Sequence, residues 1–112
     1  MKNLLSISIS ISLLASISIS VSAETTEWLD ADSLQEFFPD DGGVNVVLDT
    51  VTSNYSSCNN GRRFYLPMTH PNYEVTSSTL LTSFASGKKV KLVINQTSAC
   101  APEIQKVVLV NY

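Results

Sequence analysis

A mostly β chain with one helix, folded as a small five-stranded barrel, is what this sequence predicts. Three observations carry that expectation. An Asp-Gly pair stands between two apolar runs, residues 34–38 and 44–51, and such a pair is a strong hairpin signal. Residues 89–95 are of the alternating type of a half-buried strand, and residues 62–66 divide as a strand would, with Phe64 and Leu66 on one face and Arg63 and Tyr65 on the other. Between those two stretches, residues 71–87 repeat their apolar positions at helical spacing.

The folded part begins after a leader. Residues 6–20 read SISISISLLASISIS, which as structure would be a strand with one dry face. Its setting marks it as an export signal instead. Lys2 supplies one positive charge, residues 4–21 carry none, and Val21-Ser22-Ala23 places small residues at a cut point before Glu24. Cleavage after Ala23 is therefore expected, leaving residues 24–112 as a single small domain. About half of the apolar stretch is Ser and no basic stop-transfer cluster follows it, so no stable membrane span is expected in the mature chain. Export implies a periplasmic or secreted location and an oxidising environment. Cys58 and Cys100, the only two cysteines, then read as one disulfide. Such a bridge is worth about 4 kcal/mol by chain entropy, a large fraction of the stability of so small a domain.

The elements follow in order. Residues 34–38 admit two readings. Ser33 with Glu36 three positions later forms a capping box and would open a helix. The Pro-Asp-Asp-Gly-Gly that follows at residue 39 leaves that helix too short, so residues 34–38 and 44–51 are expected to pair as strands. Residues 52–61 form a polar loop holding Cys58. Residues 62–66 are a third strand, with Arg62, Phe64 and Leu66 on one face and Arg63 and Tyr65 on the other, ended by Pro67. His70-Pro71 opens a helix whose inner face is expected to carry Tyr73, Ser77, Leu80, Leu81 and Phe84. Gly87 stops it, and Lys88 and Lys89 stand at its negative end. Residues 89–95 turn Val90, Leu92 and Ile94 inward and Lys91 and Val93 outward; residues 104–110 are the last strand. A hairpin, a strand, a helix and two strands, in that order, fit an OB-like barrel.

The segment CNNGRRFYLPMTHPNYEVTSSTLLTSFASGKKVKLVINQTSAC resembles a group of small exported bacterial proteins. In them a Cys, a short strand near a Pro, a helix with a Leu-Leu pair and a Ser-Gly-Lys stop, a strand and a second Cys recur in that order. The layout is similar to the B subunits of bacterial A–B toxins, the subtilase-cytotoxin and pertussis-like group. The matching positions, Cys58, Cys100, Leu80, Leu81 and Gly87, bear the fold, and no sugar-contacting residue carries over. The resemblance implies an OB-fold, ring assembly and binding to cell-surface sugars.

Charge narrows the function classes. The chain has a net charge of −3, and loss of Lys2 makes the mature value −4. A general nucleic-acid binder needs a basic footprint, so nucleic acid is not an expected partner. Acids dominate residues 24–49 and the bases all follow Asp49, a polarity that allows contact between copies in a homo-oligomer but is as simply neutralised within one copy. No metal or cofactor is expected: the cysteines are far from Cys-x-x-Cys spacing, and His70 is the sole His. The Asp40-Asp41-Gly42-Gly43 run lacks the further oxygens of a calcium loop and reads as a turn. No nucleophile elbow is present, and catalysis is not expected. The acceptor patterns at Asn54 and Asn95 are chance matches in a bacterial setting.

Polar aromatics are the more useful signal. Trp28, Tyr55, Tyr65, Tyr73 and Tyr112 combine apolar faces with hydrogen-bonding tips, as sugar binders require. Arg63 and Tyr65, on the strand face opposite Phe64, are the candidate ligand-binding residues, since Tyr and Arg concentrate binding energy. The expectation is a secreted, non-enzymatic binding module whose partner is a cell-surface glycan. The alternative is a small exported accessory or inhibitor protein that binds another protein.

Overall fold

A computed structural model describes residues 25–112. The expected leader, residues 1–23, lies outside the described residues. Strands β1 (Thr26–Trp28), β2 (Leu34–Asp40), β3 (Gly43–Leu48) and β4 (Arg63–Pro67) precede helix α1 (Tyr73–Ser86), and β5 (Val90–Asn95) and β6 (Ile104–Leu109) follow it. The strands form two three-stranded antiparallel sheets, ordered β1-β5-β6 and β2-β3-β4. The chain is thus mostly β with one helix. The expected count of five strands is corrected to six, in two sheets, and no closed barrel forms among the described residues. The added strand is β1, whose three residues are too few to show a period.

Two isolated bridges join the sheets: Asp32 to Val90, antiparallel, and Tyr65 to Glu103, parallel. Apolar side chains from both sheets meet in one core of Leu29, Leu34, Val46, Leu48, Phe64, Leu66, Val90, Leu92, Ile94 and Ile104, closed on one side by Leu80 of α1. The alternation expected in β4 and β5 is what fills it.

The hairpin reading holds. Residues 34–38 are strand, not helix, because β2 pairs along its length with β3 across the Asp41-Gly42 turn, with Gly42 at φ +81°. Asp40 accepts from the Asp41 amide and from Asn45 Nδ2, so the Asp-rich run serves the turn. Gly43 sits where β4 passes closest. A Cβ there would collide with the Leu66 carbonyl oxygen and crowd Pro67 Cα, both backbone. Gly43→Ala is expected to cost about 1–3 kcal/mol as an overpacked site. Urea unfolding checks this, and an unchanged midpoint would mean that β3 and β4 separate freely.

Strand β3 stops at Leu48 rather than residue 51. The Thr50 and Val51 amides turn away to the Asp32 carboxylate, at 2.7 and 2.8 Å. The third strand runs one residue later than expected, with Pro67 as its last member.

Helix α1 starts at Tyr73 and ends as predicted, on Gly87 in the left-handed region with its amide bonded to Ser83 O. Its inner stripe is corrected. Thr76, Leu80 and Ser83 are buried, whereas Leu81 is 50% exposed and Phe84 42%. Leu81 stands one residue, about 100°, from Leu80 around the helix. Phe84 lies at the margin and stacks on Phe37 of β2 at 6.0 Å. Among the described residues no helix is long and apolar enough to cross a membrane.

The cysteines are bonded as expected. Cys58 and Cys100 form a disulfide with Cα atoms 4.8 Å apart, tying the loop before β4 to the loop before β6.

Candidate binding groove

Alternation along β4 sends Phe64 and Leu66 into the core and leaves Arg63 and Tyr65 half-buried on the opposite face, as the sequence predicts. The register adds their neighbours. Tyr65 pairs with Asn45, which pairs with Phe38; Arg63 pairs with Val47.

The two side chains have different situations. The Arg63 guanidinium is already held by its own sheet. Its Nε donates to Asn45 Oδ1 at 3.0 Å, Nη2 stands 3.9 Å from Asp40, and the group lies over the Phe38 ring at 5.1 Å. Asn45 is 2% exposed and spends its amide on Asp40 and its carbonyl on Arg63, so the three residues close a network across β2, β3 and β4. Removing Arg63 would strand the buried Asn45 carbonyl, so Arg63 has a structural task whatever else it touches.

Tyr65 faces a groove instead. Its amide donates to Pro102 O at 3.0 Å, and the Asn95 amide donates to Glu103 O at 2.9 Å. These bonds draw the end of β5 and the approach to β6 against β4. The seam leaves a hollow of about 330 Å³. Ala99, Ala101 and Pro102 give it small apolar walls; Tyr65, Asn95, Thr97 and Glu103 give it polar ones. The Tyr65 hydroxyl donates to Asp41 O at 3.2 Å, which holds the ring and leaves the phenolic oxygen able to accept. Burial, and then the carboxylates of Asp40 and Glu103 with Tyr73 and Asp41 beyond them, push the Tyr65 phenol above its ordinary value of 10.0. The group therefore stays neutral at any physiological pH. Asn95 Oδ1 is a buried acceptor with no hydrogen-bond partner among the described residues.

His70 is not available for a triad built on a free imidazole. Its Nδ1 accepts from the Asn72 amide at 3.0 Å, so Nε2 carries the proton and donates to Gln105 O at 2.9 Å. The ring pins the start of α1 to β6. Among the described residues no three His, Cys, Asp or Glu side chains gather closely enough to hold a metal ion.

The chain matches no family model, and neither curated proteins nor solved structures give a match.

Sequence reasoning brought Tyr65 to the site but missed Asn95, Thr97 and Glu103. Asn95 and Thr97 appear in the sequence only as an acceptor pattern, and Glu103 as an isolated acid. Their meeting with Tyr65 depends on the seam between the two sheets, for which residues 95–103 carry no periodic signal.

Proposed function

We propose that the mature chain is an exported, non-enzymatic binding module, and that it takes a cell-surface glycan in the groove beside Tyr65. The groove carries the reading. It sets a neutral phenol, an amide, a hydroxyl and a carboxylate around small apolar walls, and sugars present hydroxyls and apolar faces together. Glu103 sets a carboxylate in the groove wall, which favours an uncharged sugar over one bearing a carboxylate. A disulfide accords with a periplasmic or extracellular place of work.

The same reading takes the two sheets as parts of an OB-like barrel. Followed through the bridges, the strands run β2-β3-β4-β6-β5-β1, and Asp32, in the connection from β1 to β2, bridges to Val90 of β5. That order, with one helix between β4 and β5, supports kinship in form to the toxin B subunits that the Cys58–Cys100 segment resembles. Ring assembly belongs to this proposal.

A glycan array and the solution mass of the mature protein test it. Tyr65→Ala is expected to keep the fold and to weaken glycan binding about tenfold or more, the effect of truncating an aromatic anchor. A folded variant that binds like the parent would move the site out of the groove. A second reading, a protein-binding accessory factor, draws on one observation: Val75, Leu81 and Phe84 of α1 and Leu109 of β6 are exposed apolar side chains. A parent with no glycan ligand that runs as a monomer would favour it.

A further inference from the structure

We propose that Trp28 is a second contact for the same ligand, so that the glycan is an oligosaccharide spanning the groove and Trp28. The inference rests on the glycan reading above and names the ligand's length.

Strand β1 pairs Thr26 with Asn95 and Trp28 with Val93, and β5 pairs Val93 with Lys106. Directly paired residues project to one face of a sheet. Ile94, Leu92 and Val90 fill the core, so Asn95, Val93, Trp28 and Lys106 share the outer face. Asn95 is a wall of the groove. Trp28 is its diagonal neighbour across the β1–β5 ladder, about 7–8 Å away by sheet geometry. The groove and the indole are therefore adjacent places on one surface.

Trp28 is unusual for its position. It is 58% exposed, on a three-residue edge strand, with Lys106 Nζ 6.0 Å over its ring. Val93 points outward between these two side chains and is yet only 4% exposed, as cover from both sides would give. An indole 58% exposed on the outer face of a sheet is a stacking platform for the apolar face of a sugar ring. The Lys106 ammonium beside it is a donor for hydroxyl oxygens. A sugar seated on Tyr65 and Asn95 places its next unit toward Trp28.

The experiment uses an array carrying each terminal sugar as mono- to pentasaccharide, probed with the mature protein, Trp28→Leu and Trp28→Phe. Parent binding is expected to rise with chain length. Trp28→Leu should lose that rise, about tenfold on the longer glycans, while changing monosaccharide binding less than about twofold. Trp28→Phe, which keeps an aromatic face, should retain most of it. Trp28 is also the sole Trp, so its emission should shift when the best array glycan is added to the parent in solution. Monosaccharides bound as tightly as their longer forms, or a Trp28→Leu protein that keeps the length dependence, would overturn the second contact and leave the groove standing. An array with no bound glycan would overturn both.

Discussion

The reduced protein, or Cys58→Ser, is expected to melt some 15–30 °C below the oxidised parent. The bridge joins residues 42 apart in sequence, and a loop of that length is worth about 4 kcal/mol by chain entropy. Each kcal/mol moves the midpoint of a domain this small by about 4–8 °C. The two loops are also laced by backbone bonds: the Ser57 amide to Ala99 O at 2.9 Å and the Ala99 amide to Tyr55 O at 3.0 Å. The Ser56 hydroxyl lies buried near the carbonyls of Arg63 and Cys100, at 2.9 and 3.1 Å. These contacts are too few to hold the loops once the tether is cut. Because Ala99 and Ala101 are walls of the groove, ligand affinity should fall with the bridge. Calorimetry with and without reductant reads the melting; intact mass after alkylation reads the thiols. Two alkylated cysteines in unreduced, denatured protein would refute the pairing.

Asp32→Ala is expected to cost about 3 kcal/mol, the scale of leaving buried donors without a charged acceptor. Asp32 is 6% exposed. One carboxylate oxygen accepts from the Ser33 amide at 2.9 Å, and the other from the amides of Thr50 and Val51. Its backbone meanwhile exchanges two 2.9 Å hydrogen bonds with Val90, the antiparallel bridge between the sheets. One residue thus terminates β3, shapes the following loop and joins β2 to β5. Asp32→Asn keeps the volume and one acceptor but sets an NH₂ group against backbone N–H groups, so an intermediate loss is expected. Urea unfolding of both variants checks this. A loss under about 0.5 kcal/mol for Asp32→Ala, the range of an ordinary surface change, would show that water replaces the carboxylate.

Nothing in the sequence singled Asp32 out. It reads as one of a group of early acids, and the charge count treats them alike. Its role depends on residues 50, 51 and 90, brought to it only by the pairing of β2 with β3 and of the sheets with each other. Arg63 shows the same limit from the other side. Its face was readable, but whether its guanidinium is free was not, because Asn45 and Asp40 come from a different strand.

What the sequence by itself determined was local. The Asp41-Gly42 turn, the inward Phe64 and Leu66, the inward Val90, Leu92 and Ile94, the helix stop at Gly87 and the Cys58–Cys100 pair all follow from turn chemistry, side-chain period or the count of cysteines. The tertiary structure alone decided the rest: the short edge strand β1, the division into two sheets, which side of α1 is buried, and the groove between β4 and the segment that joins β5 to β6. Period and turn signals are set by neighbours within a few residues. A sheet edge, a helix face or a seam is set by partners tens of residues away, and the backbone bonds that choose those partners are the same for every side chain.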